Sequence, residues 1–247
     1  MAASTTYVTA DSFRFLRELA RNNNREWFAA NKARYEKTTR DPFLRLIGDL
    51  AGPLAGISPH FRADPRPSGG SMFRIYRDTR FANDKTPYKA WLGARLYHER
   101  SRQVPMGRSP SASEAMDGRE RPAPLFYLHV APGRCFVGGG LWHPESATVK
   151  RIRDFLVDNP ATWKKAVQAK RFREHFELGG ESLTRPPRGY DPAHELIEDI
   201  KRKDFVATRH FSDADAMSPQ LPKIVIDGCK GIAPMIDYLC AALDLEF

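Results

Sequence analysis

Residues 125–142 read LFYLHVAPGRCFVGGGLW, and the pattern of this stretch decides the fold class. Side chains of two kinds alternate on either side of Pro132-Gly133, a dipeptide typical of tight turns. The alternation predicts two strands, residues 125–131 and 134–142. We expect them to pair as an antiparallel hairpin, because parallel strands would need a long crossover between them.

Two further strand candidates precede this hairpin, residues 72–77 and 91–98, and a short one follows it at residues 205–210. Helical patterns occupy the chain on both sides of the strands, and this arrangement predicts an α+β fold rather than alternating α/β units. We expect a central antiparallel sheet of about four or five strands flanked by N- and C-terminal helices. The helical patterns begin at residues 9, 24, 41, 145, 160 and 193, and two last helices flank residues 228–231.

The 247 residues are expected to form one domain, residues 1–247. Residues 99–123, ERSRQVPMGRSPSASEAMDGRERPA, are rich in Ser, Pro, Gly and Arg and contain no aromatic side chain. Such a composition buries little apolar surface, so the segment is predicted to be a mobile surface insertion between two strands.

No apolar run approaches the ~18 residues of a membrane span, and the N-terminus lacks the basic and apolar regions of a secretory signal. The three cysteines, Cys135, Cys229 and Cys240, form no CxxC pair, which favours free thiols in a reducing compartment. We therefore expect a cytoplasmic protein without a membrane partner.

The chain carries 39 Lys and Arg against 30 Asp and Glu, a formal net charge of +9. This excess suits a polyanionic partner, such as nucleic acid, or a phosphorylated ligand. The cations are spread along the chain without a long basic run, so general solubility is the favoured explanation of the charge.

Residues 71–89, SMFRIYRDTRFANDKTPYK, combine five cations, two carboxylates and four aromatic side chains. A solvated loop does not need so many rings, and a core strand would not tolerate so many charges. The block predicts either a site for an anionic ligand or an internal ion-pair network. Asp78 and Asp84 could pair with the cations or hold a divalent cation, and pairing is the commoner arrangement. The candidate ligand-binding residues of the block are Arg74, Tyr76, Arg77, Asp78, Arg80, Asp84, Lys85, Tyr88 and Lys89.

The alternation in the predicted strands also separates two faces of the sheet, one aliphatic and one that is aromatic and basic. Arg95 and His129, on the second face, are further candidate ligand contacts. Such a face suits the stacking of a nucleotide or of single-stranded nucleic acid. The alternative is that it packs under the amphipathic helices with its arginine stems covered, and this is favoured because those helices need a surface to cover.

Outside these residues the signals for a site are weak. His129 and His143 could approach one another across the hairpin and act as acid or base. A second anion contact is predicted at Arg188, on a proline-rich loop that also carries Tyr190. No zinc spacing, phosphate-binding loop or GxSxG motif occurs, and residues 138–140 are interpreted as a bulge or a close contact with a helix. Neither a catalytic residue nor a cofactor is assigned.

Four segments together resemble the DUF2461 family of conserved hypothetical proteins. They are NNNREWFAANKARYE (22–36), RIYRDTRFANDKTPYK (74–89), YLHVAPGRCFVGGGLWHP (127–144) and LTRPPRGYDPAHELI (183–197). The resemblance runs from about residue 10 to the C-terminus, and residues 74–89 are its most specific part. It implies one domain and a set of signature positions, and it implies no reaction. The chain departs from the family pattern in its insertion at residues 99–123.

The leading hypothesis is a protein that binds an anionic, phosphate-bearing ligand through residues 74–89. Two alternatives stay open. One is a metal-assisted enzyme that acts on a phosphorylated or nucleic-acid substrate, with Asp78 or Asp84 as metal ligand or base. The other is a non-catalytic interaction module whose charged block is an ion-pair lock.

Overall fold

The computed structural model describes residues 5–78, 84–101 and 122–247. The strands in these ranges are β1 (Phe61–Arg62), β2 (Leu92–His98), β3 (Leu125–Ala131), β4 (Arg134–Leu141), β5 (Glu177–Gly179) and β6 (Phe205–Phe211). They form a six-stranded sheet in the order β1-β2-β3-β4-β6-β5, and every neighbouring pair is antiparallel. The predicted α+β class is confirmed, with a slightly larger strand count than expected.

The hairpin predicted at residues 125–142 forms the centre of this sheet. Its register places Val130 opposite Cys135, and the turn between the strands contains Gly133 at a φ of 76°. A side chain at this φ would be strained, so the glycine explains why the chain reverses here. The second strand ends at Leu141, one residue earlier than predicted, because the chain turns at His143, whose φ is 49°.

The strand predicted at residues 72–77 is wrong. The segment makes two isolated bridges instead, Met72 to Ala94 and Tyr76 to Tyr88. The sequence also gave no sign of β1 and β5, because two or three residues are too few to establish an alternating pattern.

The N-terminal helices are α1 (Ala10–Arg21), α2 (Arg25–Tyr35) and α3 (Asp41–Ala55). The side chains of Thr9 and Asn24 cap the first two helices, as their sequences predict. Asp41 does not start a separate helix, because a π-helical turn at Glu36–Arg40 carries α2 directly into α3.

The C-terminal helices are α4 (Ser146–Asp158), α5 (Pro160–Val167), α6 (Lys170–His175), α7 (Ile197–Ile200), α8 (Asp213–Ala216) and α9 (Leu221–Ala242). The helix expected from residue 193 is reduced to the single turn of α7. The prediction of two helices flanking residues 228–231 is wrong, because one continuous helix, α9, runs through them. A Cβ atom at Gly228 would lie 2.9 Å from Val137, and one at Gly231 would lie 2.5 Å from Phe176. These glycines therefore allow close packing and do not end a helix.

The helices that pack on the centre of the sheet cover its aliphatic face. Helix α9 lies against β4, where the missing Cβ of Gly139 would be 3.1 Å from Ile232. Phe126, Leu128 and Val130 of β3 point to the same side and are fully buried. The interpretation that the aromatic and basic face lies under these helices is wrong, whereas the close helix contact expected at residues 138–140 is confirmed.

The three cysteines are free and buried, as expected. Among the helices of the described ranges, none is both long enough and apolar enough to span a membrane. Two predictions fall outside the described residues: the ligand-binding role of Arg80, and the insertion at 99–123 over its residues 102–121.

Candidate functional site

The charged block forms an extended arm at the edge of the sheet. We define the basic arm as residues 71–78 and 84–91. The amide N–H of Phe73 donates to the carbonyl oxygen of Gly93 (3.0 Å), and that of Arg95 donates to Ser71 (3.0 Å), so the arm begins along the free edge of β2. Further out the two segments bond to each other, and the Lys89 N–H donates to the Ile75 carbonyl oxygen at 2.8 Å.

The N-terminal helices hold the arm through Tyr88. The Asn23 amide group donates to the Tyr88 carbonyl oxygen (2.9 Å) and accepts from the Tyr88 N–H (3.0 Å). The Tyr88 ring stacks on Phe28 with centroids 4.2 Å apart and is buried. Tyr88 was predicted to contact a ligand, but its surroundings are those of a packing residue. Tyr76, another predicted contact, is half exposed and lies 5.5 Å from Tyr88.

A line of rings crosses the face of the sheet opposite α9. We define the aromatic row as Trp91, His129, Phe136 and His210. Successive ring centroids lie 5.0, 4.8 and 5.5 Å apart. The strand register produces this line, because His129 of β3 pairs with Phe136 of β4, which pairs with His210 of β6.

Two more rings, Phe73 of the arm and Tyr127 of β3, pack beside the aromatic row. The Phe73 ring lies 6.1 Å from Trp91 and 5.8 Å from Tyr127. All three side chains converge over Gly93, where an added Cβ would lie 2.6 Å from the Trp91 ring and 3.0 Å from both the Phe73 ring and the Tyr127 hydroxyl oxygen. Glycine is therefore required at position 93 for the arm to close onto the sheet.

His129 is a neutral stacking group rather than an anion contact. The Tyr127 hydroxyl lies 3.0 Å from its Nδ1. Burial, and then the charge of Arg134, lowers the pKa of His129 to about 4, so the imidazole is uncharged at neutral pH. An uncharged imidazole has one N–H donor and one acceptor nitrogen, so the Tyr127–His129 contact is a single hydrogen bond whose direction is set by the tautomer.

Lys89 lies where the arm meets the aromatic row. Its Nζ donates to the carbonyl oxygens of Arg74 (2.8 Å) and Tyr76 (3.2 Å) and lies 5.5 Å from the Trp91 ring centroid and 5.9 Å from that of Phe73. Burial, followed by the charges of Arg74 and Arg77, lowers the pKa of the amine to about 8. Lys89 is thus a half-buried cation held by backbone carbonyls and ring faces.

Arg77 pairs with Asp84, as the pairing hypothesis for the block predicts. Its guanidinium nitrogen lies 2.8 Å from the carboxylate, whereas its Nε is buried and has no acceptor among the described residues. Asp84 also accepts from the N–H and hydroxyl of Thr86 at 2.9 and 2.7 Å, and these bonds, with Arg77, lower its pKa. Arg74, Asp78 and Lys85 are exposed. In the described ranges, no group of three His, Cys, Asp or Glu residues is placed to hold a metal ion.

Two arginines border the rings on the sheet itself. Arg95 stands beside Tyr97, 5.6 Å from its ring, and is opposite Tyr127 in the register. Burial lowers the pKa of Arg95. Arg134 lies 5.8 Å from the Phe136 ring centroid. The structure thus brings Arg95 and His129 to the same face as Lys89.

The other predicted contacts lie elsewhere. Arg188 is exposed on the loop after β5, which is tied to α4 by the bond from the Tyr190 hydroxyl to Asp154 (2.8 Å). His143 does not approach His129: it lies beyond Gly140, which pairs with Leu125, so the two histidines are about 20 Å apart at ~3.3 Å per residue. The hypothesis that they act together as acid and base is therefore wrong.

Sequence reasoning missed Trp91 and Asn23. Trp91 precedes β2 by one residue, and the alternation had marked it only as the first residue of a strand. Asn23 lies between the first two helical patterns, and nothing local indicates its bonds to a residue 65 positions away. Phe136 was assigned to the correct face, but its stacking on His129 depends on the register, which alternation alone does not set.

Comparison with known proteins gives one match, to a protein family. The model of a family described as conserved hypothetical protein (DUF2461) matches residues 11–238. No match is found among the curated proteins or among the solved structures. The matched range contains all four segments on which the resemblance was based.

Proposed function

The chain belongs to the DUF2461 family of conserved hypothetical proteins, and we propose that it binds a small ligand carrying both a phosphate and an aromatic ring, as a nucleotide does. The observation that carries this proposal is the position of Lys89, a half-buried cation at one end of the aromatic row. The ligand would place its phosphate at the arm and its ring against the exposed parts of the row.

An anion suits the arm because Lys89 is held by uncharged groups and one buried nitrogen of Arg77 has no acceptor among the described residues. Lys89 has two carbonyls and two ring faces around it, and its charged neighbours are the cations Arg74 and Arg77. The buried Nε of Arg77 has no acceptor within the described residues. Burying cationic groups without acceptors is costly, and phosphate oxygens would supply the acceptors.

A single nucleotide suits the row better than a strand of nucleic acid. Tracts of single-stranded nucleic acid stack successive bases on separate exposed rings. Here the His129 ring is stacked at 14° on Phe136 and also contacts Trp91, so it is unavailable as a platform. Trp91 and Phe136 are partly buried and His210 is exposed, so parts of these rings are accessible to a ligand.

The roles predicted for the block divide accordingly. Tyr88 and Asp84 hold the arm together, which agrees with part of the ion-pair-lock alternative. Lys89, Arg77 and Arg95 are the proposed ligand contacts. No observation on the described residues favours Asp78 and Asp84 as metal ligands, so a metal-assisted reaction is not proposed.

Thermal melts with inorganic phosphate, adenosine and adenosine monophosphate test this proposal. We expect the monophosphate to raise the melting temperature more than phosphate or adenosine, because a ligand at about 100 times its Kd adds about 2.7 kcal/mol to stability. The Arg95→Gln variant should lose most of this shift, whereas the control Arg185→Gln, on an exposed loop, should keep it. The absence of any shift in the wild type, or equal shifts in both variants, would contradict the proposal.

Titration with a short oligonucleotide at about 50 and 200 mM salt separates the nucleic-acid alternative. A polyanion that neutralises several cations binds much more weakly at the higher salt, because the counterions released on binding gain less entropy when the surrounding salt is more concentrated. Oligonucleotide binding that is tighter than monophosphate binding and falls steeply with salt would replace the nucleotide proposal with a nucleic-acid one.

A further inference from the structure

We infer that the ligand carries a second anionic group, bound by Arg134 across β3 from Lys89, and that it belongs to the class of nucleoside 3′,5′-bisphosphates. The inference rests on the proposed function, because Lys89 and the basic arm bind the first phosphate. It adds a contact outside the arm and narrows the class of ligand.

Arg134 and Lys89 stand against neighbouring rings of the aromatic row. The Lys89 Nζ lies 5.5 Å from the Trp91 ring centroid, and the Arg134 Cζ lies 5.8 Å from that of Phe136. The His129 ring stands between these two rings, with its centroid 5.0 Å from Trp91 and 4.8 Å from Phe136. The two cations therefore border the same three rings from different sides.

The strand register keeps the two cations apart. Gly93 of β2 pairs with His129 of β3, which pairs with Phe136 of β4. Neighbouring strands lie about 4.8 Å from each other, so the backbones of β2 and β4 are about 10 Å apart. Lys89 lies on the arm, outside β2, and Arg134 is the first residue of β4. A single phosphate group is too small to contact both cations across this distance.

The electrostatic effects of the two cations agree with this separation. After burial, the charges that lower the pKa of Lys89 are those of Arg74 and Arg77, which belong to the arm. The charge that adds to burial in lowering the pKa of His129 is that of Arg134. The arm and Arg134 thus present positive charge to two different parts of the row.

The surface between Trp91 and Arg134 is low. Leu92 pairs with Val130, and Ala131 pairs with Arg134, so Ala131 stands between the tryptophan and the arginine on this face of the sheet. Ala131 is partly exposed, and its methyl group is the smallest side chain of β3. A ligand can therefore lie over this position without meeting a larger side chain of the strand.

The Arg134 guanidinium still has donors for an anion. It is exposed, and it forms no ion pair with the residues that the structure describes. Asp213, a carboxylate beside the hairpin turn, is bound to the backbone, because its two oxygens accept from the Gly133 N–H at 2.9 and 3.1 Å. A guanidinium group with free N–H donors binds phosphate through two parallel hydrogen bonds.

Two phosphates on either side of a nucleoside suit this arrangement. In a nucleoside 3′,5′-bisphosphate the ribose separates the phosphates, whereas those of a diphosphate share one oxygen and lie on the same side of the ribose. A bisphosphate can place one phosphate at Lys89 and the other at Arg134. A nucleotide inside a nucleic acid also has two flanking phosphates, but the stacked His129 ring offers no platform for successive bases. A free bisphosphate is therefore favoured.

Isothermal titration calorimetry tests the inference with adenosine 5′-monophosphate, adenosine 5′-diphosphate and adenosine 3′,5′-bisphosphate. The buffer contains no divalent cation, so that no metal ion joins the phosphates. We expect the bisphosphate to bind at least about tenfold more tightly than the other two nucleotides, because it alone adds charge-assisted hydrogen bonds to Arg134.

Three variants assign this preference to Arg134. In Arg134→Gln the affinity for the bisphosphate should fall to within about threefold of the affinity for the monophosphate, which should not change. Arg134→Lys keeps a positive charge and should keep part of the preference, and the control Arg185→Gln should bind like the wild type. Thermal melts without ligand should be alike for all four proteins, because both arginines are exposed.

The outcomes separate this inference from the proposed function. Monophosphate binding without a preference for the bisphosphate, or a preference that Arg134→Gln keeps, would overturn the inference and leave the proposed function standing. A diphosphate that binds as tightly as the bisphosphate would overturn the separation of the two phosphates. A short oligoadenylate that binds more tightly than the bisphosphate would overturn the inference in favour of nucleic acid. No binding of any of the three nucleotides would contradict both.

Discussion

Asp204 and Lys89 lie at opposite ends of the sheet and are both held by backbone groups, yet their surroundings differ. Asp204 is fully buried and accepts from the N–H groups of His143 (2.6 Å) and Glu181 (2.8 Å). Lys89 is half buried and donates to two carbonyl oxygens, with ring faces and two arginines as its other neighbours. A charge that is enclosed by fixed donors stabilises a fold, whereas a cation placed among other cations is suited to a ligand.

The hydrogen bonds of the buried Asp204 carboxylate hold an unfavourable backbone conformation in place. Its carboxylate joins the turn after β4 to the loop after β5, and it holds His143 at a φ of 49°, in the left-handed region. Gly180, at a φ of 92°, leaves the space that the aspartate occupies, because a Cβ there would lie 2.3 Å from that of Asp204. This end of the sheet has no room for a ligand at the carboxylate.

The largest effect is therefore expected at Asp204. The Asp204→Ala variant leaves two partly buried N–H groups without their acceptor, and each unsatisfied group costs about 1–3 kcal/mol, so we expect a loss of about 2 kcal/mol or more in the free energy of unfolding. Asp204→Asn keeps one acceptor oxygen, so its free energy of unfolding should lie between those of Asp204→Ala and the wild type. Urea denaturation measures the free energy of unfolding of all three proteins. A loss below about 1 kcal/mol in Asp204→Ala would remove the contrast with Lys89.

A smaller, pH-dependent effect is expected at Lys89. Because its pKa is lowered to about 8 in the folded state, the unfolded chain binds more protons between pH 8 and its ordinary pKa of 10.5, and stability rises with pH over this window. The slope from this single group cannot exceed about 1.4 kcal/mol per pH unit. Neither the methionine of Lys89→Met nor the arginine of Lys89→Arg titrates in this range. Both variants should therefore lack the part of the rise in stability that Lys89 contributes.

Urea denaturation at several pH values across the window measures this difference. A saturating phosphate ligand should reduce the rise in the wild type, because a bound anion favours the ammonium form. Parallel pH profiles for the wild type and both variants would mean that Lys89 has an ordinary pKa, and the distinction between the two ends of the sheet would then be one of burial alone.

The sequence predicted the two faces of the sheet because alternation is a local property. The pattern in residues 125–142 placed Tyr127 and Phe136 opposite Phe126 and Val137, and the structure confirms this assignment. The sequence could not indicate which face the helices cover, because both faces carry large side chains. Gly228 was misread for a related reason: its role depends on Val137, ninety-one positions away, and a local reading treats glycine as a helix stop.

The sequence predicted which residues belong to the candidate site, but it predicted only part of how they are arranged. The cations of residues 71–89 were expected to face either an anionic ligand or the carboxylates of the block, but counting charges ignores the backbone. Lys89 found its partners in two carbonyl oxygens, and Arg77 found Asp84. The contribution of Trp91 depends on the fold bringing the arm against β3, which no local pattern contains.

The smallest effect on stability is expected at Arg77, and it decides whether the arm is a binding site or a lock. The Arg77–Asp84 pair is partly exposed, at 30% and 51% for the two side chains, so Arg77→Ala should cost less than about 1 kcal/mol. Arg151→Ala, which removes a surface pair with Asp244 at 2.7 Å, is the matched control and should cost a similar amount. Thermal melts with and without adenosine monophosphate then separate the variants: Arg77→Ala should lose most of the ligand-induced shift, and Arg151→Ala should keep it. A loss of several kcal/mol in Arg77→Ala, with the ligand shift intact, would identify the arm as an ion-pair lock and would make Lys89, like Asp204, a structural charge.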